Sequence, residues 1–387
     1  MAYWTGNDFD YAVSVRRHLH EYPELGFDLD RTVVFVRQEL DKLGIAWTDR
    51  YGRGSVAAWI GPENAKTAMG IRADMDALPV TEKTGLPYAS RIPGRMHACG
   101  HDSHTAVLLT VARILKRMED RLPCRVKLLF QPSEECEVSG AKAMVDLGAA
   151  DDVDAVIATH CDNTLEAGRI GVHAGDYMAA CDPVTVTFLG KTAHATLPEQ
   201  GVDAIAMAWE AYGLLKELAR REAGEKTVYI FSINCFQGGT AHNVIADQCR
   251  MIISFRYYDK DFARRVREKS MALCGHLADR YGGNVEFNWS ISTPPVYNDP
   301  ALAAQFAQSA ERVLPGQVVD MPFLKSSEDF SWFLRKKPGL LFRFGTRNEA
   351  LGCATPIHCN DFRIDETGMR SAIDVFVQFV LDRPAAM

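Results

Sequence analysis

Met96-His-Ala-Cys-Gly-His-Asp-Ser-His104 places one thiol, three imidazoles and one carboxylate in nine residues, just ahead of an apolar helical run from Thr105 to Met118. Soft and borderline ligands on a loop that opens a helix suit a transition metal. Gly100, between Cys99 and His101, permits the tight turn that lets both side chains face one ion. More chemistry follows three short apolar runs. Asp74 and Asp76 come after Ala68–Ile71, Glu134 and Glu135 close Gln131-Pro-Ser-Glu-Glu135 after Val126–Phe130, and His160 follows Ala155–Thr159. His358 lies in a loop before the last helical pattern. Cys99, His101, Glu135, His160 and His358 would serve two ions, or one ion with a rich surround of hydrogen-bonding groups. The adjacent glutamates add a function: one can ligate while its neighbour stays free as a general base. A divalent ion brings the pKa of water down towards ~7, and a carboxylate beside it can take the proton. That is equipment for hydrolysing an amide or an ester. A Cys99 nucleophile with a histidine base is a rival use of the thiol, but it leaves the glutamate pair unexplained. One histidine alone would read as an ordinary core or surface residue; this many ligand types at successive strand ends would not.

The elements that must position these groups are readable in order. Helical spacing covers Asn7–Leu19, and His18, His20 and Glu21 read as the polar end of that helix before the Pro23–Gly26 loop. A second helix, Asp30–Leu43, stops at Gly44. Strands are expected at Val56–Ile60, Ala68–Ile71, Val126–Phe130 and Ala155–Thr159, with a helix Asp102–Met118 for which Asp102 is the expected N-cap. Strands alternating with helices over residues 50–175 indicate a mostly parallel α/β sheet. Ligands of such sheets bind beyond the carboxyl ends of the strands. From Asp182 the texture changes to strand Pro183–Leu189, helix Val202–Arg220, strands Thr227–Phe236 and Gln248–Tyr258, helix Asp259–Tyr281 and strand Asn284–Ser292. That βαββαβ order is ferredoxin-like. After Thr293-Pro-Pro295 the α/β texture returns, with helix Ala301–Val313, strand Leu340–Phe344 and helix Glu366–Leu381. The expected organisation is a catalytic domain over 1–179 and 293–387, interrupted by an inserted α+β lid or dimerisation domain over 180–292.

Composition narrows the function further. A chain of 387 residues usually divides into more than one domain. A net charge of −7 argues against a nucleic-acid or anionic-membrane binder. No apolar run nears the ~20 residues that span a bilayer, and Met1–Asp10 lacks the basic and apolar regions of a secretory signal. The ten cysteines show no paired spacing and read as reduced cytoplasmic thiols.

The residues also carry a resemblance that runs almost end to end. His20-Glu-Tyr-Pro-Glu-Leu-Gly-Phe27, Arg72–Pro79, Met96–His104, Phe130–Glu135, Gly190-Lys-Thr-Ala-His-Ala195, Gly238-Gly-Thr-Ala-His-Asn-Val-Ile245 and Ser327-Glu-Asp-Phe330 together resemble the metal-dependent amidohydrolases that include hippurate hydrolase, bacterial N-acyl-amino-acid amidohydrolases and plant auxin-conjugate hydrolases. The resemblance implies two divalent metal ions (Zn, Mn, Co or Ni) held by Cys99, His101, Glu135, His160 and His358, with Glu134 as general base. It implies that His194 polarises the scissile carbonyl, often across a dimer, that Asn243 lies near the substrate, and that Asp74 and Asp76 back the metal site. The sequence departs from the family pattern at Glu199 after Pro198, at Ala246 after Ile245, in Ile253-Ser-Phe-Arg256, and in Thr159-His-Cys-Asp-Asn163. These changes fall in the lid and rim, so they bear on substrate identity rather than on hydrolysis.

The expected activity is hydrolysis of an N-acyl or N-aroyl amino acid, with Arg256 pairing the substrate carboxylate in a bidentate way. A small-molecule substrate and a homodimer are the expected partners, with neither nucleic acid nor membrane. The alternatives are a dipeptidase or carboxypeptidase and, from another class, a non-catalytic metal-binding homologue. A site that merely binds metal has no use for a free base beside its ligand, which favours the enzyme.

Overall fold

A computed structural model describes residues 3–290 and 293–383. The chain forms two compact units. One runs to Tyr177, resumes over Val296–Phe323 and continues from Glu328 onward. The other comprises Met178–Pro295 with the short strap Leu324–Ser327.

The first unit is built on an eight-stranded sheet. Its strands are β1 (Trp47–Thr48), β2 (Val56–Ile60), β3 (Ala68–Asp74), β4 (Arg125–Gln131), β5 (Ala155–Glu166), β6 (Ile170–Val172), β13 (Val318–Asp320) and β14 (Gly339–Arg347), in the order β1-β2-β4-β3-β5-β14-β6-β13. The ladders that matter for chemistry are parallel: β4 with β3, β3 with β5, and β5 with β14. Antiparallel pairing enters where β1 meets β2, β2 meets β4, and β14 meets β6. A further two-stranded ladder joins β7 (Gly175–Met178) to β12 (Val296–Asn298). Strands near the middle are buried almost throughout, as in β3 and β14, because helices cover the sheet. Ile71, Leu109, Leu128, Ile157, Phe342 and Phe376 belong to one apolar core.

The second unit contains β8 (Ala180–Leu189), β9 (Tyr229–Gly238), β10 (Gln248–Tyr257) and β11 (Asn284–Trp289), ordered β11-β8-β10-β9 and antiparallel throughout. Helix Ala204–Glu222 lies between β8 and β9 in the chain, and helix Lys260–Tyr281 between β10 and β11. Both helices start on an aspartate cap: Asp203 accepts from the amides of Ile205 and Ala206, and Asp259 from those of Asp261 and Phe262. The alternation read at Val184, Val186 and Phe188 is the buried face of β8. The last two residues of the expected strand Asn284–Ser292 lie outside the described residues.

Three local expectations differ from the structure. The helix after the Cys-His loop begins at His101, and its N-cap is Gly100 in the left-handed region (φ +85°), not Asp102. The Asp102 carboxylate is turned instead to the Arg16 guanidinium, whose positive charge outweighs one backbone bond, and to the His20 imidazole. His160 does not follow its strand but lies inside β5, which continues to Glu166 because β14 pairs alongside it from Gly339 to Arg347. Asp74 is likewise the last residue of β3, which runs three residues beyond the expected Ala68–Ile71, rather than lying past its end.

Candidate metal centre

One helix, one strand and three loops bring the predicted ligands together within the first unit. His101 enters from the first turn of helix His101–Lys116. Its Nδ1 donates to the Asp76 carbonyl at 2.8 Å, which turns Nε2 towards the cluster as the atom available to a metal. His160, from β5, donates Nδ1 to the Cys161 carbonyl at 2.7 Å and is left with Nε2 free in the same way. That Nε2 lies 3.3 Å from Cys99 Sγ, and His358 Nε2 lies 3.4 Å from the same sulfur. His358 also comes to 3.2 Å from Glu135 Oε1, while His101 Nε2 is 3.9 Å from both Glu135 Oε1 and Glu134 Oε2. Ligand atoms of Cys99, His101 and His160 form one tight trio, and those of Cys99, Glu135 and His358 another; the thiol is common to both.

The backbone is shaped for this. A Cβ on Gly100 would sit 2.3 Å from Cys161 Sγ, so only glycine lets the Cys99–His101 loop lie against β5. His358 holds φ +67°, and its amide donates to the Ala98 carbonyl at 2.7 Å, tying the two loops together. Ser133, one residue before the glutamate pair, is also left-handed at φ +54°. Non-glycine residues in that region cost of order 1–3 kcal/mol, and such residues cluster at functional sites.

The residues fit a bound cation. His101 Nε2 is buried and has no hydrogen-bond partner among the described residues, which is costly unless another group engages it, and buried Glu135 Oε1 has only the His358 imidazole at 3.2 Å. The donor set of thiol, imidazoles and carboxylate suits a divalent transition metal. Charge is arranged to match. Burial, Glu328, Glu135 and Asp329 push the Glu134 carboxyl well above the usual range. Burial also pulls on Glu135, yet His358 and His101 bring its carboxyl below the ordinary value. Burial and then Glu135 push the Cys99 thiol up, and burial with Arg343 keeps His160 neutral.

Asp74 and Asp76 lie directly behind this cluster. Asp76 accepts from the amides of Glu134 (2.9 Å) and Glu135 (3.1 Å). Asp74 accepts from Arg72 Nη1 at 2.6 Å and from His104 Nδ1 at 2.6 Å. The other three predicted residues belong to the second unit. His194 is exposed, with Nδ1 2.8 Å from Thr196 Oγ1. The Asn243 carbonyl accepts from the Ala195 amide, and Arg256 Nη1 donates to the Lys325 carbonyl at 3.1 Å.

Sequence reasoning missed several supporting residues. His104 links Asp74 to β5, its Nε2 accepting from the Cys161 amide at 2.9 Å; it stood in the nine-residue motif without a role. His20 is not a polar helix end but fully buried, with Nδ1 2.8 Å from Asp102 Oδ2 and Nε2 3.3 Å from Glu82 Oε1. Arg16 completes that buried network at 2.8 Å from Asp102. Arg72 and Asp329 were visible only as members of quoted motifs. In the structure they are buried partners 2.9 Å apart.

Residues 70–382 match the model of peptidase family M20/M25/M40. The N-acetyl-L-cysteine deacetylase of Bacillus subtilis is 35% identical over 360 residues, covering 93% of this chain and 85% of that protein. The N-acyl-L-amino acid amidohydrolase of Geobacillus stearothermophilus is 36% identical over 287 residues, covering 74% of this chain and 78% of that protein. The crystal structure of a dinuclear metal-binding M20 peptidase from Bacillus subtilis superposes with a TM-score of 0.85 at 31% identity, covering 97% of this chain and 98% of that one.

Proposed function

The chain belongs to peptidase family M20/M25/M40, and from that premise we propose that its buried thiol–imidazole–carboxylate cluster hydrolyses the amide bond of N-acyl or N-aroyl amino acids. It is a metal-dependent amidohydrolase. The observation that carries the reading is the Glu134–Glu135 pair beside His101, both carboxylates 3.9 Å from its Nε2 and only Glu135 also within 3.2 Å of His358; we assign Glu135 to the ligand set and Glu134 to the base. Cys99, His101, Glu135, His160 and His358 would hold two divalent ions. When bound, these would acidify a water and polarise the substrate carbonyl, and Zn, Mn, Co and Ni all suit the donor set.

The chain's own residues do the rest. Glu134 takes the proton of the attacking water and returns it to the leaving amine nitrogen. Asp76 fixes the backbone of both glutamates, and Asp74 with His104 ties the end of β3 to the middle of β5. His194 is assigned to stabilising the oxyanion, which its exposed imidazole suits. Asn243 is assigned to the substrate, and Arg256 to its carboxylate.

A panel of N-acetyl and N-benzoyl amino acids, the same compounds with the carboxylate amidated, and dipeptides tests the reading. Turnover of acyl amino acids is expected, with a drop in kcat/KM of roughly 10–100-fold on amidation, from losing a charge-assisted bond worth about 1.5–3 kcal/mol. Arg256→Ala should erase that preference. An inert metal-loaded protein on every acyl amino acid would remove the activity, and equal rates with and without the carboxylate would remove Arg256.

Residues 180–292 are assigned to a lid that pairs two copies, with 1–179 and 293–387 as the catalytic domain. Trp209 is 73% exposed on helix Ala204–Glu222 and stacks on Tyr212, and β9 is an open sheet edge. An exposed tryptophan beside an unpaired edge marks a contact surface. Light scattering should give twice the 43.0 kDa chain mass, and Trp209→Glu should return the monomer. A wild-type monomer at every concentration would end the dimer assignment. Among the described residues no helix is long and apolar enough to cross a membrane. The ten free cysteines suit the reducing cytoplasm, where we place the protein.

A further inference from the structure

Glu134 and Glu135 sit on a seven-residue excursion between Gln131, the last residue of β4, and Ser139, the N-cap of helix Gly140–Asp146. The tip of this loop is held by Asp76. Its base is closed by a different carboxylate from far along the chain. Asp329 accepts from Gln131 Nε2 at 2.8 and 3.0 Å on one side of the loop. On the other side it accepts from Ser139 Oγ at 2.7 Å and from the Ala141 amide at 3.2 Å. Arg72 Nη2 donates to it at 2.9 Å and Arg72 Nε to Gln131 Oε1 at 2.7 Å, so the guanidinium locks the carboxylate and the glutamine in one plane of contacts. The two ends of the loop are pressed together here. The Gly140 amide donates to the Ser133 carbonyl at 2.9 Å, and a Cβ on Gly140 would fall 1.7 Å from the Pro132 carbonyl oxygen.

We propose that Asp329 is a positioning residue for the reaction: by bridging Gln131 to Ser139 and Ala141 it fixes where Glu134 stands relative to His101. The inference rests on the hydrolytic reading given above. Among the described residues no hydrogen bond or ion pair joins Asp329 to any of the five ligand residues; its donors include Arg72 and the two ends of the loop that carries the base. A carboxylate suits this position because its two oxygens accept four donors at once, among them buried Arg72, whose charge it shares with Asp74 and Glu328. Loosening this base shifts Glu134 without removing it. Misplacement of a reacting group by ~1 Å costs about 100-fold in rate.

Asp329→Ala, Asp329→Asn and Ser139→Ala are compared with wild type by three measurements: kcat and KM on an N-acyl amino acid that wild type turns over, bound metal, and backbone amide exchange of the metal-free chain. For Asp329→Ala, kcat is expected to fall ~100-fold with KM within about threefold. Exchange should rise over 132–140 and stay unchanged over 99–105. Asp329→Asn keeps two or three of the accepted bonds and should recover about tenfold of the lost rate, and Ser139→Ala should lose only a few-fold. Unchanged kcat and unchanged exchange over 132–140 in Asp329→Ala would overturn the proposal. So would exchange rising evenly through the first unit in both Asp329 variants with no rescue by asparagine, which marks a general brace of the fold. If wild type is inert on all acyl amino acids while Asp329→Ala still loosens 132–140 alone, the hydrolytic reading fails and the control of the loop by Asp329 stands.

Discussion

Glu134→Gln is expected to lower kcat by about 1,000-fold while the protein keeps its fold and its metal. The substitution preserves shape and the backbone bond from residue 134 to Asp76, made by the amide rather than the side chain. The change is confined to the ability to accept a proton, which for a positioned general base is worth roughly 100–10,000-fold. Glu135, the neighbouring carboxylate, cannot take over: its Oε1 lies 3.2 Å from His358 and 3.9 Å from His101, among the ligand atoms. Single-turnover kinetics beside elemental analysis reads both halves of the expectation. A variant within tenfold of wild type would show that Glu134 is not the base. A variant that loses metal along with activity would make Glu134 a ligand instead.

Removal of metal should have the second large effect. A chelated, dialysed chain is expected to lose turnover completely and to regain it when one of Zn, Mn, Co or Ni is returned. The affinity for metal follows from His101 Nε2, buried and without a partner among the described residues, and from Glu135 Oε1, which only His358 engages. Each such atom costs about 1–3 kcal/mol when nothing engages it. The folded state should therefore bind metal far better than the unfolded chain does, and loading should raise Tm. At a hundredfold excess of metal over its Kd the gain is about 2.7 kcal/mol. Calorimetry with and without each ion measures it. Full turnover by a chain that elemental analysis finds empty of metal would sink the metal-dependent mechanism for this protein.

The ligands themselves were legible in the sequence because their residue types are rare and local: a Cys and a His flanking Gly100, two adjacent glutamates, a histidine after an apolar run. The parallel sheet was legible from strands alternating with helical spacing. What stayed hidden was long-range polar pairing. Asp102 looked like a helix cap because the sequence shows its neighbours and not Arg16, 86 positions away. His20 looked like a surface residue until Glu82 and Asp102 surrounded it. Asp329 finds Arg72 across 257 positions. A buried charge is paid for by a partner that no local window contains. His160 was placed beyond its strand because pattern reading stops where apolar residues stop, whereas β5 is prolonged by hydrogen bonds to β14.

The pairing of β5 with β14 also sets an order of events in time. Cys99, His101, Glu135 and His160 all precede the second unit in the chain, while β14, Asp329 and His358 follow it. A chain emerging from the ribosome therefore carries four of the five ligands before the strand that must lie beside β5 has been made. Closing so long a loop is entropically slow, and contacts distant in sequence delay folding. Until about the last eighth of the chain arrives, β5 has no partner on the side that β14 comes to occupy. The nascent protein is then most exposed to misassociation, and it lacks His358 to complete the second trio around the shared thiol.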